Sequence, residues 1–189
     1  MSAGCRQPSS TPPSGAARTE AARRRVEFVT TWGELSDLRP DLVAGGRRLL
    51  YQHGVGLAFL ATIRPDAGPR LHPFCPLLRD DGMFGFIIPS PKQRDLRRDG
   101  RFAVHSFPTP DNEDAFYVTG RVAPVEDAGL RQALGDQFVT ERSEIGVPFP
   151  ADDDLLVHFD LESCLLTTTK GFGDWEPNHV VWHGPAIRL

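Results

Sequence analysis

The chain has 189 residues, of which 40% are apolar and 24% are charged, a balance typical of one globular domain of ordinary size. Its formal net charge of −4 argues against nucleic acid or an anionic membrane surface as a partner. Three cysteines without a Cys-x-x-Cys pair argue against a disulfide framework and a metal site. The apolar stretches are shorter than a membrane span and the first residues lack the apolar core of a secretory signal, so we predict a cytoplasmic protein.

The first part of the chain changes from a polar tail to a helix. Residues 1–25 are rich in Ser, Pro, Ala, Gly and Arg without an apolar period, which predicts a disordered tail ahead of a single domain over residues 26–189. Thr31 and Glu34 have the spacing of a capping box, in which each side chain accepts a hydrogen bond from the other residue's backbone N–H. They predict a helix that is interrupted at Pro40 and then resumes.

Short turns rich in Gly, Pro and Asp separate the apolar and alternating segments of the remaining chain, a pattern typical of antiparallel strands. The segment at residues 57–63 is almost wholly apolar, so we expect it to be buried on both faces. Strands are predicted over residues 57–63, 70–79, 83–88, 101–107, 116–125, 155–169 and 179–182, and helices over about 91–99 and 127–140. This order predicts a mostly β protein with inserted helices, arranged as a closed or partly closed antiparallel barrel.

A short basic helix is predicted after the third strand. Ser90 is a good N-cap, Pro91 suits the first helical position, and Gln93 completes a capping box. Lys92 and Arg94 then lie in the first turn, where the helix dipole disfavours cations. An anion at the free N–H groups would reverse that effect, with Lys92 as counter-charge and the Ser90 hydroxyl as hydrogen-bond partner. A solvated basic helix is an equally good interpretation of these residues alone.

The second strand carries an unusual face. Alternation places Arg70, His72 and Phe74 together, and a cation, an imidazole and an aromatic ring could line a flat anionic ligand. The same residues also suit a surface strand. Pro73 and Pro76 cannot donate to a β-ladder, so part of this strand is expected at an edge, a bulge or a ligand surface. No side chain in the sequence stands out as a catalytic acid, base or nucleophile.

Several segments in fixed order resemble the pyridoxamine 5'-phosphate oxidase-like family of FMN-binding split barrels. They are LATIRPD (60–66), PRLHP (69–73), SPKQRDLRRD (90–99), RFAVHSF (101–107) and FYVTGR (116–121). The resemblance covers about residues 50–125. It implies a six-stranded split barrel of Greek-key type, and a homodimer with FMN at the subunit interface.

The resemblance also implies cofactor-binding residues, three on the second strand beside the flavin and three around its phosphate. These are Arg70, His72, Phe74, Ile87, Ser90 and Lys92. The implied activity is that of an FMN-dependent oxidoreductase acting on a small molecule, in which the cofactor supplies the redox chemistry.

The sequence departs from the family's oxidases at three places. The segment NHVVWH (178–183) lacks the Arg-x-His pair that recognises the vitamin B6 phosphate ester, and Pro76 and Pro91 replace residues that are usually basic. Vitamin B6 oxidation is therefore not expected, and the substrate stays open. The alternatives are a reductase that uses a deazaflavin coenzyme, and a flavin- or haem-binding protein without turnover.

Overall fold

The computed structural model describes residues 30–185, so the predicted tail lies outside the described part of the chain. Its helices are α1 (Trp32–Leu38), α2 (Pro40–Leu50), α3 (Pro91–Arg98) and α4 (Ala128–Glu141). Its strands are β1 (Ala58–Ile63), β2 (Pro69–Phe74), β3 (Leu77–Leu78), β4 (Met83–Ile87), β5 (Arg101–Ser106), β6 (Ala115–Pro124), β7 (Leu155–Thr168) and β8 (Asn178–His183). No helix among these residues is long and apolar enough to cross a membrane.

The interrupted N-terminal helix is confirmed. Thr31 Oγ1 accepts from the Glu34 N–H at 3.1 Å, and Glu34 Oε2 accepts from the Thr31 N–H at 2.8 Å, which completes the predicted capping box. Pro40 occupies the first turn of α2. A backbone N–H at this position would have no acceptor within the helix, so proline costs no hydrogen bond here. One side of α2 packs on the sheet through Leu42, Val43, Leu49 and Leu50.

All strand pairs are antiparallel, and the sheet runs in the order β2-β1-β5-β6-β7-β4-β3. The long strand β7 pairs with β6 on one edge, and on its other edge with β4 and then β8. The two ends of the path, β2 and β3, are separated in sequence only by Cys75 and Pro76, so the sheet curls back on itself as a half-barrel. The predicted split barrel is confirmed, with eight strands in place of the six that the resemblance implies. The strand predicted over residues 70–79 is broken at Cys75 and Pro76 into β2 and β3, and the strand predicted over residues 179–182 is present as β8 beside β7.

The inner face of the curled sheet holds the core. Its fully or almost fully buried side chains include Leu60, Val104, Phe116, Val118, Phe159 and Leu161. The expectation that the first strand is buried on both faces is wrong for the chain by itself. Ala58, Leu60 and Thr62 are buried, whereas the described chain covers Phe59, Ala61 and Ile63 only in part; the Phe107 ring, for example, packs on Phe59 with the centroids 4.4 Å apart.

That second side, called the outer face here, is partly apolar along two adjacent rows of cross-strand partners. The first row consists of Pro73, Phe59, His105, Tyr117, Leu165 and Val181. The second row consists of Leu71, Ala61, Ala103, Thr119, Ser163 and His183. Leu71 is 62% exposed and Val181 is 47% exposed. The outer face therefore presents a broad, partly apolar surface to its surroundings.

Candidate functional site

Helix α3 begins where the sequence predicts, with Ser90 as its N-cap. Ser90 Oγ accepts from the Gln93 N–H at 3.3 Å and donates to the Ile88 carbonyl at 2.9 Å, so this hydroxyl is already used within the chain. The expected return bond of the capping box does not form. The Gln93 amide donates instead to the carbonyls of Ile87, at 2.8 Å, and Asp153, at 3.0 Å, and so ties the start of α3 to the strand before it and to the loop before β7.

Lys92 in the first turn of α3 is half-buried and lines a cavity of about 660 Å³. Burial lowers the pKa of its ammonium group, and the neighbouring Cys75 opposes that effect. No carboxylate of residues 30–185 forms an ion pair with Lys92. A desolvated cation without an anionic partner attracts an anionic ligand, because burying an uncompensated charge is costly.

The cavity lies between the ends of β2 and β4 on one side and residues 138–154 on the other. Its wall is mainly aromatic and aliphatic, and includes Phe74, Phe86, Phe138, Val147 and Phe149. Its volume suits a small-molecule ligand or cofactor. Its charged residues are Lys92 and Asp154, and the Asp154 carboxylate already accepts from the Ala151 N–H at 3.0 Å. A mainly apolar wall with a half-buried cation suits a ligand that has an apolar body and an anionic group.

Arg70 on β2 is anchored by a buried carboxylate. Its Nε donates to Asp95 Oδ2 at 2.7 Å, and Asp95 also accepts from Thr62 at 3.1 Å and from Arg98 at 3.2 Å. Burial by itself would raise the pKa of Asp95, but these hydrogen bonds hold it below its ordinary value. The terminal nitrogens of Arg70 make no hydrogen bond within residues 30–185 and can still serve a ligand.

The predicted alternation of β2 is confirmed. Arg70, His72 and Phe74 lie on the more buried side of the strand, whereas Pro69, Leu71 and Pro73 are exposed. The Nε2 atom of His72 is buried, and no atom within the described part of the chain hydrogen-bonds to it. Phe74 packs against Phe159, with the ring centroids 5.3 Å apart, and also lines the cavity.

The structure brings together some of the residues that the resemblance implies and separates others. Phe74 and Lys92 line one cavity, and Arg70 and His72 share the strand face beside Phe74. Ser90 is engaged as the helix cap, and the side chain of Ile87 is fully buried in the core. These assignments stay predictions.

Sequence reasoning missed two parts of this region. Asp95 holds Arg70 in place, a contact that the sequence did not predict. The far wall, residues 138–154, was not connected with the site at all. Neither part has a local sequence signal, because both depend on contacts between distant segments.

No protein-family model matches the chain, and no curated protein matches it in sequence. Its fold matches several solved structures. A haem-binding protein from Mycobacterium smegmatis is 14% identical with a TM-score of 0.57, over 75% of this chain and 58% of that one. A NimC/NimA family protein from Clostridium acetobutylicum is 14% identical with a TM-score of 0.55, over 75% and 94%. A candidate pyridoxamine 5'-phosphate oxidase from Listeria innocua is 14% identical with a TM-score of 0.52, over 68% and 97%. The chain therefore has the fold of the pyridoxamine 5'-phosphate oxidase-like split barrels.

Proposed function

We propose that this protein is an oxidoreductase that binds FMN in the cavity beside α3 and acts on a small-molecule substrate. The observation that carries the proposal is the half-buried Lys92, which lines a mainly apolar cavity and forms no ion pair with a carboxylate of residues 30–185, Asp154 in the same cavity included. An aromatic ring system that bears a phosphate satisfies both the apolar wall and the cation. The fold supports the same proposal, because the chain shares it with the Listeria innocua protein described as a candidate pyridoxamine 5'-phosphate oxidase.

A small number of side chains around the cavity would hold this cofactor. Lys92 supplies the counter-charge for the phosphate, and the terminal nitrogens of Arg70, held by Asp95, supply further donors. Phe74 and the apolar wall exclude water from the ring. The Ser90 hydroxyl acts indirectly, since it fixes the start of α3. When bound, the flavin supplies hydride or two-electron transfer, and the protein positions it.

We also propose that the chain forms a homodimer, in which a second copy covers the outer face and the cofactor lies at the interface. Ala61 and Ala103 lie at the middle of the second row, where small side chains allow another sheet to approach closely. Leu71 and Val181 at the margins are strongly exposed. An apolar surface of this kind marks an interaction site, and self-complementary twofold interfaces are the commonest in soluble proteins. The proposed dimer is cytoplasmic and has neither a nucleic-acid nor a membrane partner.

A second candidate function is supported by one relative and one residue. The Mycobacterium smegmatis protein of the same fold binds haem, and His72 has a buried Nε2 without a partner among residues 30–185. An imidazole nitrogen of this kind can ligate iron. The alternative is therefore a haem- or flavin-binding protein without turnover. A deazaflavin coenzyme would need the same combination of a cation and an apolar wall as FMN.

Replacement of Lys92 by glutamate tests the proposal. The variant Lys92→Glu puts an anion where the phosphate is expected, so the Kd for FMN should rise at least about 100-fold. Flavin fluorescence during titration of the protein measures this Kd. The matched control is Arg94→Glu, which makes the same charge change two residues away at an exposed position and should leave the Kd almost unchanged. Equal affinities of Lys92→Glu and wild type would refute the phosphate assignment.

Two further measurements separate the alternatives. Titration with haem and with a deazaflavin coenzyme, followed by absorbance, ranks the three cofactors directly. Stopped-flow mixing of the reduced, FMN-loaded protein with candidate substrates then separates an enzyme from a carrier. An enzyme reoxidises faster with its substrate than with oxygen alone, whereas a carrier shows no such difference.

A further inference from the structure

A second cavity, of about 680 Å³, lies next to the proposed cofactor cavity. It is formed between residues 53–57, which lead into β1, and residues 138–147, at the end of α4. The two cavities share one wall, which consists of Leu57, Cys75, Phe138 and Val147. The proposed cofactor accounts for the first cavity and leaves the second without a ligand.

The second cavity contains a buried arginine with hydrogen-bond donors to spare. Arg142, which ends α4, is only 5% exposed, and its guanidinium group lies 4.2 Å from the centre of the Phe138 ring. It donates to the carbonyls of Gly56, at 3.2 Å, and Phe138, at 3.3 Å, and to the Glu141 carboxylate at 3.3 Å. A guanidinium group has five N–H donors, so three acceptors within the described chain leave some of them available.

The carboxylate beside Arg142 is already engaged. Glu141 accepts from the Gln137 amide at 2.7 Å, from the Tyr51 hydroxyl at 3.2 Å and from Arg142 at 3.3 Å. Burial raises the pKa of Tyr51 to about 12, so its hydroxyl keeps the proton that it donates to Glu141. The lone pairs of Glu141 are thus largely used, whereas the buried Arg142 keeps N–H donors that have no acceptor among the described residues.

The rest of the cavity wall is mostly apolar. Val55, Leu57, Ile145 and Val147 line it together with the edge shared with the first cavity. His53, Ser143 and Glu144 also line the cavity and are exposed to solvent, so water screens the charge of Glu144. An apolar space with a donor-rich cation favours a ligand that has an apolar body and an oxygen-acceptor head, because a charge-assisted bond to a buried guanidinium is strong and directional.

We propose that this second cavity binds a small apolar carboxylate, whose carboxylate group accepts hydrogen bonds from Arg142. Its apolar body extends toward the wall that the two cavities share, next to Cys75 and Phe138. The identification of this ligand as the substrate rests on the proposed function, since the cofactor would lie on the other side of that wall. Binding of the carboxylate itself requires no cofactor.

A pair of nearly isosteric probes tests the charge preference. The Kd of 2-naphthoate and of the uncharged 2-naphthamide is measured by isothermal titration calorimetry on the full chain, with FMN affinity measured separately by fluorescence. Naphthoate should bind at least about tenfold more tightly, since only its carboxylate makes charge-assisted bonds. Equal affinities of the two probes would overturn the proposal.

Filling the cavity tests the location. Ser143 and Ile145 line only the second cavity and are exposed, so Ser143→Trp and Ile145→Trp should occupy it without disturbing the core. Each should weaken naphthoate binding at least about tenfold and leave FMN binding unchanged. The matched control, Thr140→Trp, adds the same ring to an exposed position of α4 outside the cavity and should change neither.

The outcomes separate this proposal from the proposed function. Naphthoate binding that is lost in Lys92→Met but kept in both cavity-filling variants would place the ligand in the first cavity and overturn the inference. Naphthoate binding that is sensitive to Ser143→Trp, in a protein that binds no flavin, would refute the proposed function and support the second cavity as a carboxylate site.

Discussion

The rest of the described chain covers the inner face of the curled sheet and leaves the outer face largely uncovered. On the inner face, α2 and the facing strands cover the apolar side chains, and Leu60, Val104 and Phe116 are inaccessible to solvent. On the outer face, Phe59 and Ala61 occupy equally regular positions in the same strand, yet nothing in the described chain covers them fully. The same strands therefore stabilise the fold with one face and leave the other available.

The outer face is partly apolar although it contributes little to the folding of a single chain. A strand that only had to fold would carry polar residues on a solvent-facing side. The outer face instead mixes aromatic, aliphatic and alanine side chains with the polar side chains of His105, Thr119, Ser163 and His183 in two adjacent rows. A partly apolar exposed face of this extent is typical of an interaction surface, and the proposed partner is a second copy.

The largest expected difference between the faces is in the free energy of unfolding, and two neighbouring aromatic residues of β6 test it. Phe116 is fully buried, and its ring packs edge-on against Trp32 with centroids 5.9 Å apart, whereas Tyr117 lies on the outer face. Phe116→Ala should lower the free energy of unfolding by about 3–5 kcal/mol, because it leaves a cavity in the core. Tyr117→Ala should cost about 1 kcal/mol or less in dilute protein.

Urea unfolding of both variants measures these costs. Wild type and Tyr117→Ala should be compared at several protein concentrations, since a dimer that buries Tyr117 makes stability concentration-dependent. Equal losses for the two substitutions in dilute, monomeric protein would show that the faces do not differ as the structure indicates.

A smaller and more specific effect is expected from a charge at the middle of the outer face. Ala61→Arg or Ala103→Arg should convert the proposed dimer to a monomer without a large change in the unfolding of dilute, monomeric protein, because the long side chain is solvated in the monomer but must be buried in the dimer. Sedimentation analysis measures the mass. The control Ala133→Arg makes the same change on the exposed side of α4 and should remain dimeric. An unchanged mass in both outer-face variants would exclude this face as the interface.

The sequence was informative where one short segment determines the structure. The capping box at Thr31 and the N-cap at Asp127, which accepts from the Leu130 N–H at 2.6 Å, follow from local hydrogen bonding and were predictable. The alternation of β2 was equally predictable, since successive strand residues point to opposite faces. The bond between Arg70 and Asp95 was not, because it links residues of two separate elements.

The candidate site shows the same limit. Lys92 could be identified because cations at a helix N-terminus are locally unfavourable. The use of Gln93 to reach Asp153 could not, since that contact depends on how the loop before β7 returns to α3. Both cavities were missed for the same reason, because their common wall joins the N-terminal side of the barrel to the end of α4. Sequence patterns predict helices, strands and the side chains that share one face of a strand or helix. The shape of a cavity depends on tertiary contacts between distant segments, which these patterns do not show.

The smallest expected effect concerns an ion pair at the margin of the outer face. The Asp99 carboxylate accepts from Arg101 Nε at 2.6 Å and from Arg101 Nη2 at 2.9 Å, and this hydrogen bonding lowers the pKa of Asp99 from its ordinary 3.8 to about 2. A carboxyl group whose pKa is lowered by folding stabilises the folded state above its unfolded pKa, and that contribution disappears as the pH falls through the folded value. The contribution of Asp99 to stability should therefore be complete at neutral pH and be lost between about pH 4 and pH 2.

Urea unfolding of Asp99→Asn and wild type across this pH range measures that contribution. Other carboxyl groups also titrate there, so the relevant quantity is the difference between the two proteins, which should shrink toward zero in acid. A constant difference would mean that Asp99 contributes through packing and not through its charge.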